Sequence, residues 1–141
     1  MTAFFDTAVI MYAAGRDHPM RSPCRDLVDA VGSGLLDAVI SVEVIQEILH
    51  RFSASGNRDV GAAMAEAALD LFSPVVPVTD RIMRAMPRLF LEFPALSARD
   101  LVHLATCRDL GIELIVSPDQ GFDGIDGLQR VGPAEAVGAL L

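Results

Sequence analysis

The sequence predicts an α/β fold in which helices cover both faces of a parallel sheet. Short apolar runs alternate with amphipathic helical patterns, and the runs contain many β-branched and aromatic residues. Strands separated by helices are typical of parallel sheets, because each crossover helix returns the chain to the same end of the sheet. We therefore expect a three-layer α/β/α arrangement with about five strands. The expected unit is one domain that spans residues 1–141.

The predicted strands are short apolar runs bounded by polar or turn-forming residues. They are Ala3–Phe5, Ala38–Ile40, Val75–Val78, Glu113–Val116 and Leu128–Val131. The predicted helices show apolar residues at helical spacing. They are Thr7–Ala14, Ser22–Val31, Val42–Phe52, Asp59–Phe72, Arg81–Phe90, Ala98–Leu110 and Ala134–Leu141. Within them, Pro87 predicts a kink or break, and Gly111 predicts a helix end.

The composition narrows the possible functions. Hydrophobic residues make up 52% of the chain, enough for a sizeable core, and the formal net charge is −8. This charge disfavours passive coating of nucleic acid by a basic surface. All 11 Lys and Arg positions are arginine, and no P-loop motif occurs. A P-loop nucleotide site, which needs its lysine, is therefore excluded.

Cysteine usage and hydropathy indicate the compartment. Cys24 and Cys107 are isolated, form no CxxC pair and are predicted to be buried small hydrophobes in a reducing environment. No secretory pattern precedes Asp6. The apolar runs are far shorter than the roughly 20 residues that span a bilayer. We therefore expect a cytoplasmic protein with no membrane contact.

Four carboxylates are predicted to converge on one edge of the sheet. Asp6 and Asp119 directly follow predicted strands, and Glu47 lies early on the helix after the second strand. Asp100 begins a helix that runs antiparallel to the strands, so its first turn lies over their carboxyl ends. Ligands bind at this edge in open α/β sheets, which makes the four residues candidates for a site.

Each carboxylate also has a structural explanation when taken singly. Asp6 could cap the following helix, and Asp100 completes a capping box with Ser97. Asp119 could be a first-turn acid that favours a helix dipole, and Glu47 could pair with Arg51. These explanations leave the convergence itself unexplained, because carboxylates gathered without a lysine repel one another. Divalent metal is the natural compensation, and oxygen ligands favour Mg²⁺ or Mn²⁺ over Zn²⁺.

Four segments, in this order and spacing, carry a family resemblance that covers nearly the whole chain. They are Phe4–Val9, Ile40–Glu47, Ala98–His103 and Val116–Asp123. With them the chain resembles the PIN-domain ribonucleases, and specifically the VapC-type toxins of bacterial toxin–antitoxin pairs. The chain departs from the family pattern at Ala8 and Pro118, where polar residues are frequent, but it keeps every carboxylate.

The resemblance implies the roles of the site residues. The metal-binding and catalytic set it implies is Asp6, Glu47, Asp100 and Asp119, with Asp123 as a candidate fifth member and Thr7 and Ser117 as supporting hydroxyls. It also implies a PIN-like fold, Mg²⁺- or Mn²⁺-dependent hydrolysis of RNA phosphodiesters, a homodimer, and a small cognate antitoxin that masks the site.

Two other functions remain open. The chain could be a catalytically inactive PIN-like module that binds RNA or protein, although such a module is expected to have lost a key carboxylate. It could also be another magnesium phosphohydrolase on a doubly wound sheet, but the lysine or DxD motif typical of that class is missing. His103 is expected to be a core or hydrogen-bonded histidine. The stripe Arg81, Arg84 and Arg88 is expected to be a solvated face or a phosphate track.

Overall fold

The computed structural model describes residues 1–141 and contains one sheet of four parallel strands. The strands are β1 (Ala3–Phe5), β2 (Ala38–Val39), β3 (Leu114–Val116) and β4 (Gln129–Val131). Their order across the sheet is β2-β1-β3-β4, and every neighbouring pair is parallel. The predicted α/β class with a parallel sheet is confirmed.

Eight α-helices connect and follow the strands. They are α1 (Thr7–Ala14), α2 (Arg21–Gly32), α3 (Val42–Ser55), α4 (Arg58–Leu71), α5 (Asp80–Arg84), α6 (Met86–Glu92), α7 (Ala98–Leu110) and α8 (Pro133–Leu140). The helix predicted over Arg81–Phe90 is divided at Ala85, because the Pro87 ring and its missing N–H are incompatible with a continuous helix. Gly111 ends α7 in the left-handed conformation, as predicted. None of the eight is both long and apolar enough to cross a bilayer.

The third of the five predicted strands, Val75–Val78, does not form. Only one parallel bridge forms there, between Ser41 and Val76, with hydrogen bonds from Val76 N to the Ile40 carbonyl and from Val42 N to the Val76 carbonyl. Pro74, two residues before Val76, has no backbone N–H to donate towards this neighbour, and on the other side Val42 already begins α3, so the ladder cannot extend in either direction.

Both faces of the sheet are covered. Successive strand residues point to opposite faces, yet all three residues of β1 are fully buried. On one face Phe4 packs against His103 of α7, and on the other Phe5 packs edge-to-face against Phe72, which follows α4. The sheet is therefore the middle layer of an α/β/α sandwich.

The strand order reverses between β1 and β3. The chain leaves β1 towards β2 on one side and later returns to β3 on the other, with Phe5 opposite Val116. The residues that follow these strands, Asp6 and Ser117, are consequently neighbours at the switch point. This is where ligands bind in open parallel sheets.

Close packing of α3 against α4 requires a glycine. A Cβ added at Gly61 would lie 2.5 Å from the Phe52 Cβ, whereas one at Gly138 of α8 would meet nothing within 4 Å. We expect Gly61→Ala to lower the free energy of unfolding by about 1–3 kcal/mol through overpacking. The matched control Gly138→Ala should instead raise it by about 0.5–1 kcal/mol. Urea denaturation distinguishes the two, and equal effects would contradict this account of the contact.

Candidate active site

Asp6 is the fixed centre of the site. It is buried, its Oδ1 accepts a hydrogen bond from Thr7 N at 2.7 Å, and its Oδ2 accepts one from the Ser117 hydroxyl at 2.6 Å. Burial raises the pKa of Asp6 above its ordinary value, while His103 and the Ser117 hydroxyl oppose the shift. Two hydrogen bonds on opposite oxygens leave this carboxylate little rotational freedom.

Asp119 is positioned by the turn after β3. Its backbone N–H donates to the Ser117 Oγ at 3.0 Å, and its side chain accepts from Gly121 N at 2.8 Å, capping a short 3₁₀ turn. A single hydroxyl, that of Ser117, therefore bonds both Asp6 and the Asp119 backbone. The exposed Asp119 carboxylate lies at the open side of the site.

Asp100 occupies the first turn of α7, where Ser97 caps the helix by accepting from Asp100 N at 3.2 Å. Burial, followed by the negative charge of Asp6, raises the pKa of Asp100 to about 6, and Asp119 contributes in the same direction. The three aspartates are thus close enough to repel one another. A bound cation would relieve this repulsion.

Glu47 of α3 and His103 of α7 complete the cluster. The side chain of Glu47 is 14% exposed, and its Oε1 lies 2.7 Å from His103 Nε2, which is also 3.6 Å from the Asp6 Oδ1. Burial lowers the pKa of His103, but the contact with Glu47 and the surrounding carboxylates outweighs it, so the pKa is raised overall.

The residues fit a divalent cation. The carboxylate oxygens of Asp6 and Asp100 and a ring nitrogen of His103 lie within 4.8 Å of one another. Two buried side-chain oxygens of the same region, Thr7 Oγ1 and Glu47 Oε1, have no aligned hydrogen-bond partner. Buried polar atoms are normally satisfied, so this set indicates a site completed by a metal ion and its water.

Asp123 lies outside this cluster. Its carboxylate receives a two-fold hydrogen bond from Arg130, at 2.7 and 3.2 Å, which lowers the pKa of Asp123 below its ordinary value. Arg130 also donates to the Ser117 carbonyl at 2.9 Å. The Asp123–Arg130 ion pair therefore stabilises the turn that contains Asp119.

Substitution of Arg130 tests whether the ion pair stabilises this turn. Its side chain is 15% exposed, and we expect Arg130→Met to lower the free energy of unfolding by about 1–2 kcal/mol, because two hydrogen-bonded partners are lost. The control is Arg84→Met, whose ion pair with Asp80 is 79% exposed on both sides and should contribute less than about 0.5 kcal/mol. Similar losses in urea denaturation would show that Arg130 does not hold the turn.

The structure brings together the four carboxylates predicted from sequence, and it adds His103. Sequence reasoning favoured His103 as a core residue, and it is fully buried, yet it also contacts Glu47. Its spacing of three residues after Asp100 was the available signal. In the predicted basic stripe, Arg81 pairs with Asp109 at 2.8 Å and Arg84 pairs with Asp80.

Comparisons with known proteins show the family to which the chain belongs. The sequence matches the family model of the PIN domain over residues 3–128. It is 34% identical over 135 residues to Ribonuclease VapC7 of Mycobacterium tuberculosis, covering 93% of this chain and 91% of the relative. Ribonuclease VapC13 of the same species is 30% identical over 126 residues, covering 89% of this chain and 96% of the relative.

A solved structure shares the fold. It is VapBC2 from Rickettsia felis bound to a DNA fragment from the promoter, with a TM-score of 0.73 and 15% identity. The similarity covers 94% of this chain and 98% of that chain. The chain described here therefore belongs to the PIN-domain family, among the VapC ribonucleases.

Proposed function

We propose that this protein is a metal-dependent endoribonuclease that acts as the toxin of a toxin–antitoxin pair. The observation that carries the proposal is the cluster of Asp6, Glu47, Asp100 and Asp119 at the β1/β3 switch point of a PIN-domain chain. Loss of a key carboxylate is expected in an inactive binding module, and all four are retained. The catalytic function is therefore favoured over the module.

The metal we propose is Mg²⁺ or Mn²⁺. Bound by Asp6, Asp100 and Asp119, such an ion would neutralise the phosphodiester and lower the pKa of a bound water. Asp6 is held in one orientation by Thr7 N and the Ser117 hydroxyl, so it is the anchoring ligand. Asp100 and Asp119 would supply further oxygen ligands.

We propose that Glu47 either adds a further oxygen ligand to the metal or positions the attacking water. Its Oε1 lies 2.7 Å from His103 Nε2, and its other oxygen takes part in no hydrogen bond or ion pair, so that oxygen can accept a proton or a hydrogen bond. A carboxylate beside the attacking water would take its proton as the new phosphorus–oxygen bond forms. The bond from phosphorus to the leaving oxygen breaks, that oxygen takes a proton from solvent, and Glu47 returns its proton to solvent, so no covalent bond to the protein is needed.

The binding partners that we propose are inferred from proteins of similar fold. The structures that share the fold include a toxin–antitoxin complex from Klebsiella pneumoniae, with a TM-score of 0.66. We propose a cognate antitoxin that presents an arginine to the carboxylates, since a guanidinium can pair with them in place of the metal. A homodimer and a cytoplasmic location are also proposed, and Phe90 and Leu91, 62% and 81% exposed, offer apolar surface for association.

Cleavage of labelled total RNA by purified, antitoxin-free protein tests the proposal. We expect discrete fragments with Mg²⁺ or Mn²⁺ and none with EDTA. A folded protein that cleaves no RNA with either metal, but still binds RNA, would support the inactive-module alternative.

A further inference from the structure

Packing fixes the orientation of the His103 ring. The residue lies in the middle of α7, is fully buried, and packs against Phe4 of β1 with 5.2 Å between ring centroids. This arrangement turns the Nε2 edge towards the carboxylates, with Glu47 Oε1 at 2.7 Å and Asp6 Oδ1 at 3.6 Å. The contact joins α7 to α3, two helices that are distant in sequence.

The surroundings also assign the ring proton. The Nδ1 atom is buried and has no hydrogen-bond partner, whereas the only nearby acceptors face Nε2. A proton on Nε2 is therefore favoured, since it can interact with a carboxylate. The Glu47 Oε1 lies within hydrogen-bond distance of Nε2, although the two groups are not aligned as a regular hydrogen bond.

We propose that His103 is a positioning residue that acts through Glu47, its Nε2–H orienting the Glu47 carboxylate towards the space shared with Asp6 and Asp100. Glu47 makes no other side-chain hydrogen bond or ion pair, so without His103 it would sample several rotamers. Groups that orient metal ligands in this way commonly change metal affinity without touching the metal. The inference rests on the proposed function.

Two substitutions of equal polarity test the role of Nε2. His103→Gln can place an amide N–H near the position of Nε2, whereas the shorter His103→Asn cannot reach it. We expect His103→Asn to weaken Mn²⁺ binding by about 10–100-fold and His103→Gln to remain within about 3-fold of the unmodified protein. Binding is measured calorimetrically on RNA-free protein, and metal-free thermal unfolding reports on the fold separately.

A double-mutant cycle with Glu47→Gln tests the route of action. If His103 acts through Glu47, His103→Asn should cause less than about 3-fold further loss of Mn²⁺ affinity in the Glu47→Gln background. An undiminished loss in that background would overturn the proposal, because His103 would then act through packing or through Asp6. Equal Mn²⁺ affinity of His103→Asn and the unmodified protein would overturn it as well.

The position of the ring proton can also be measured on the unmodified protein, so this test does not depend on whether the variants fold. Long-range proton–nitrogen correlation spectra report which ring nitrogen of His103 carries a proton, and we expect it on Nε2. An unprotonated Nε2 cannot donate to Glu47 and would overturn the inference. Unmodified protein that binds no Mn²⁺ would overturn the proposed function itself, whereas binding that is insensitive to both His103 variants would overturn only the positioning role.

Discussion

Asp6→Asn is expected to abolish metal-dependent RNA cleavage while leaving the protein folded. Asparagine keeps the size of the side chain and an oxygen that can accept from Thr7 N, and the Ser117 hydroxyl can rotate to accept from the new amide. The substitution removes the charge of the most constrained metal ligand. The rate should therefore fall by more than the roughly 10–100-fold that follows loss of a group acting only through a ligand.

A second aspartate of the same region provides the control. Asp126 lies in an exposed turn after the 3₁₀ segment and makes no side-chain hydrogen bond or ion pair. Asp126→Asn removes the same charge from the chain, so any loss it shares with Asp6→Asn reflects net charge rather than the site. Rates are compared on labelled RNA with Mn²⁺ at matched protein concentration. Wild-type cleavage by Asp6→Asn would rule out Asp6 as an essential ligand.

Local patterns were sufficient to predict much of the fold. The bounds of the helices Thr7–Ala14 and Ala98–Leu110 were predicted to the residue, because capping residues and Gly111 mark their ends. The position of carboxylates relative to strand ends then placed Asp6 and Asp119 at one edge, since parallel strands share that edge. These inferences need only short-range sequence information and the geometry of crossovers.

What escaped prediction depends on contacts between distant segments. The apolar run at Val75–Val78 resembles a strand, but its pairing is limited to one bridge with Ser41, because Pro74 lacks an N–H and α3 begins at Val42. A similar limit applies to His103, because a histidine within an apolar helix face can lie in the core or reach a site. Only the packing of α3 against α7 brings Glu47 within 2.7 Å of it.

The second prediction with a large expected effect concerns Asp100. Its negative charge is expected to serve metal binding but to lower the stability of the metal-free protein. Burial and Asp6 raise the pKa of Asp100 to about 6 from 3.8, so the folded protein disfavours the charged carboxylate. The resulting loss of stability develops as pH rises from about 4 through about 6, and it is complete at neutral pH. Asp100→Asn removes that charge, and we expect it to make the metal-free protein more stable.

The expected gain is moderate because two effects reduce it. The side chain is partly exposed, so solvent screens the repulsion, and the carboxylate also favours the N-terminus of α7 by about 0.3–1 kcal/mol. A net gain of about 1 kcal/mol at pH 7.5 remains, or about 3 °C in thermal midpoint. At pH 5 the gain should shrink, since the folded wild-type protein then holds a proton on Asp100.

Addition of metal should reverse the order of stability of the wild-type and Asp100→Asn proteins. A cation that binds only the folded state at 100 times its dissociation constant stabilises it by about 2.7 kcal/mol. The wild-type protein should show this rise in thermal midpoint with Mn²⁺, whereas Asp100→Asn should respond weakly because a ligand is missing and the repulsion that the cation relieves is already reduced. An Asp100→Asn protein that is less stable than wild type without metal, and equally stabilised by Mn²⁺, would show that Asp100 serves the helix cap instead. The higher metal-free stability of Asp100→Asn would mean that the chain holds its carboxylates together at a cost that binding of a divalent cation offsets.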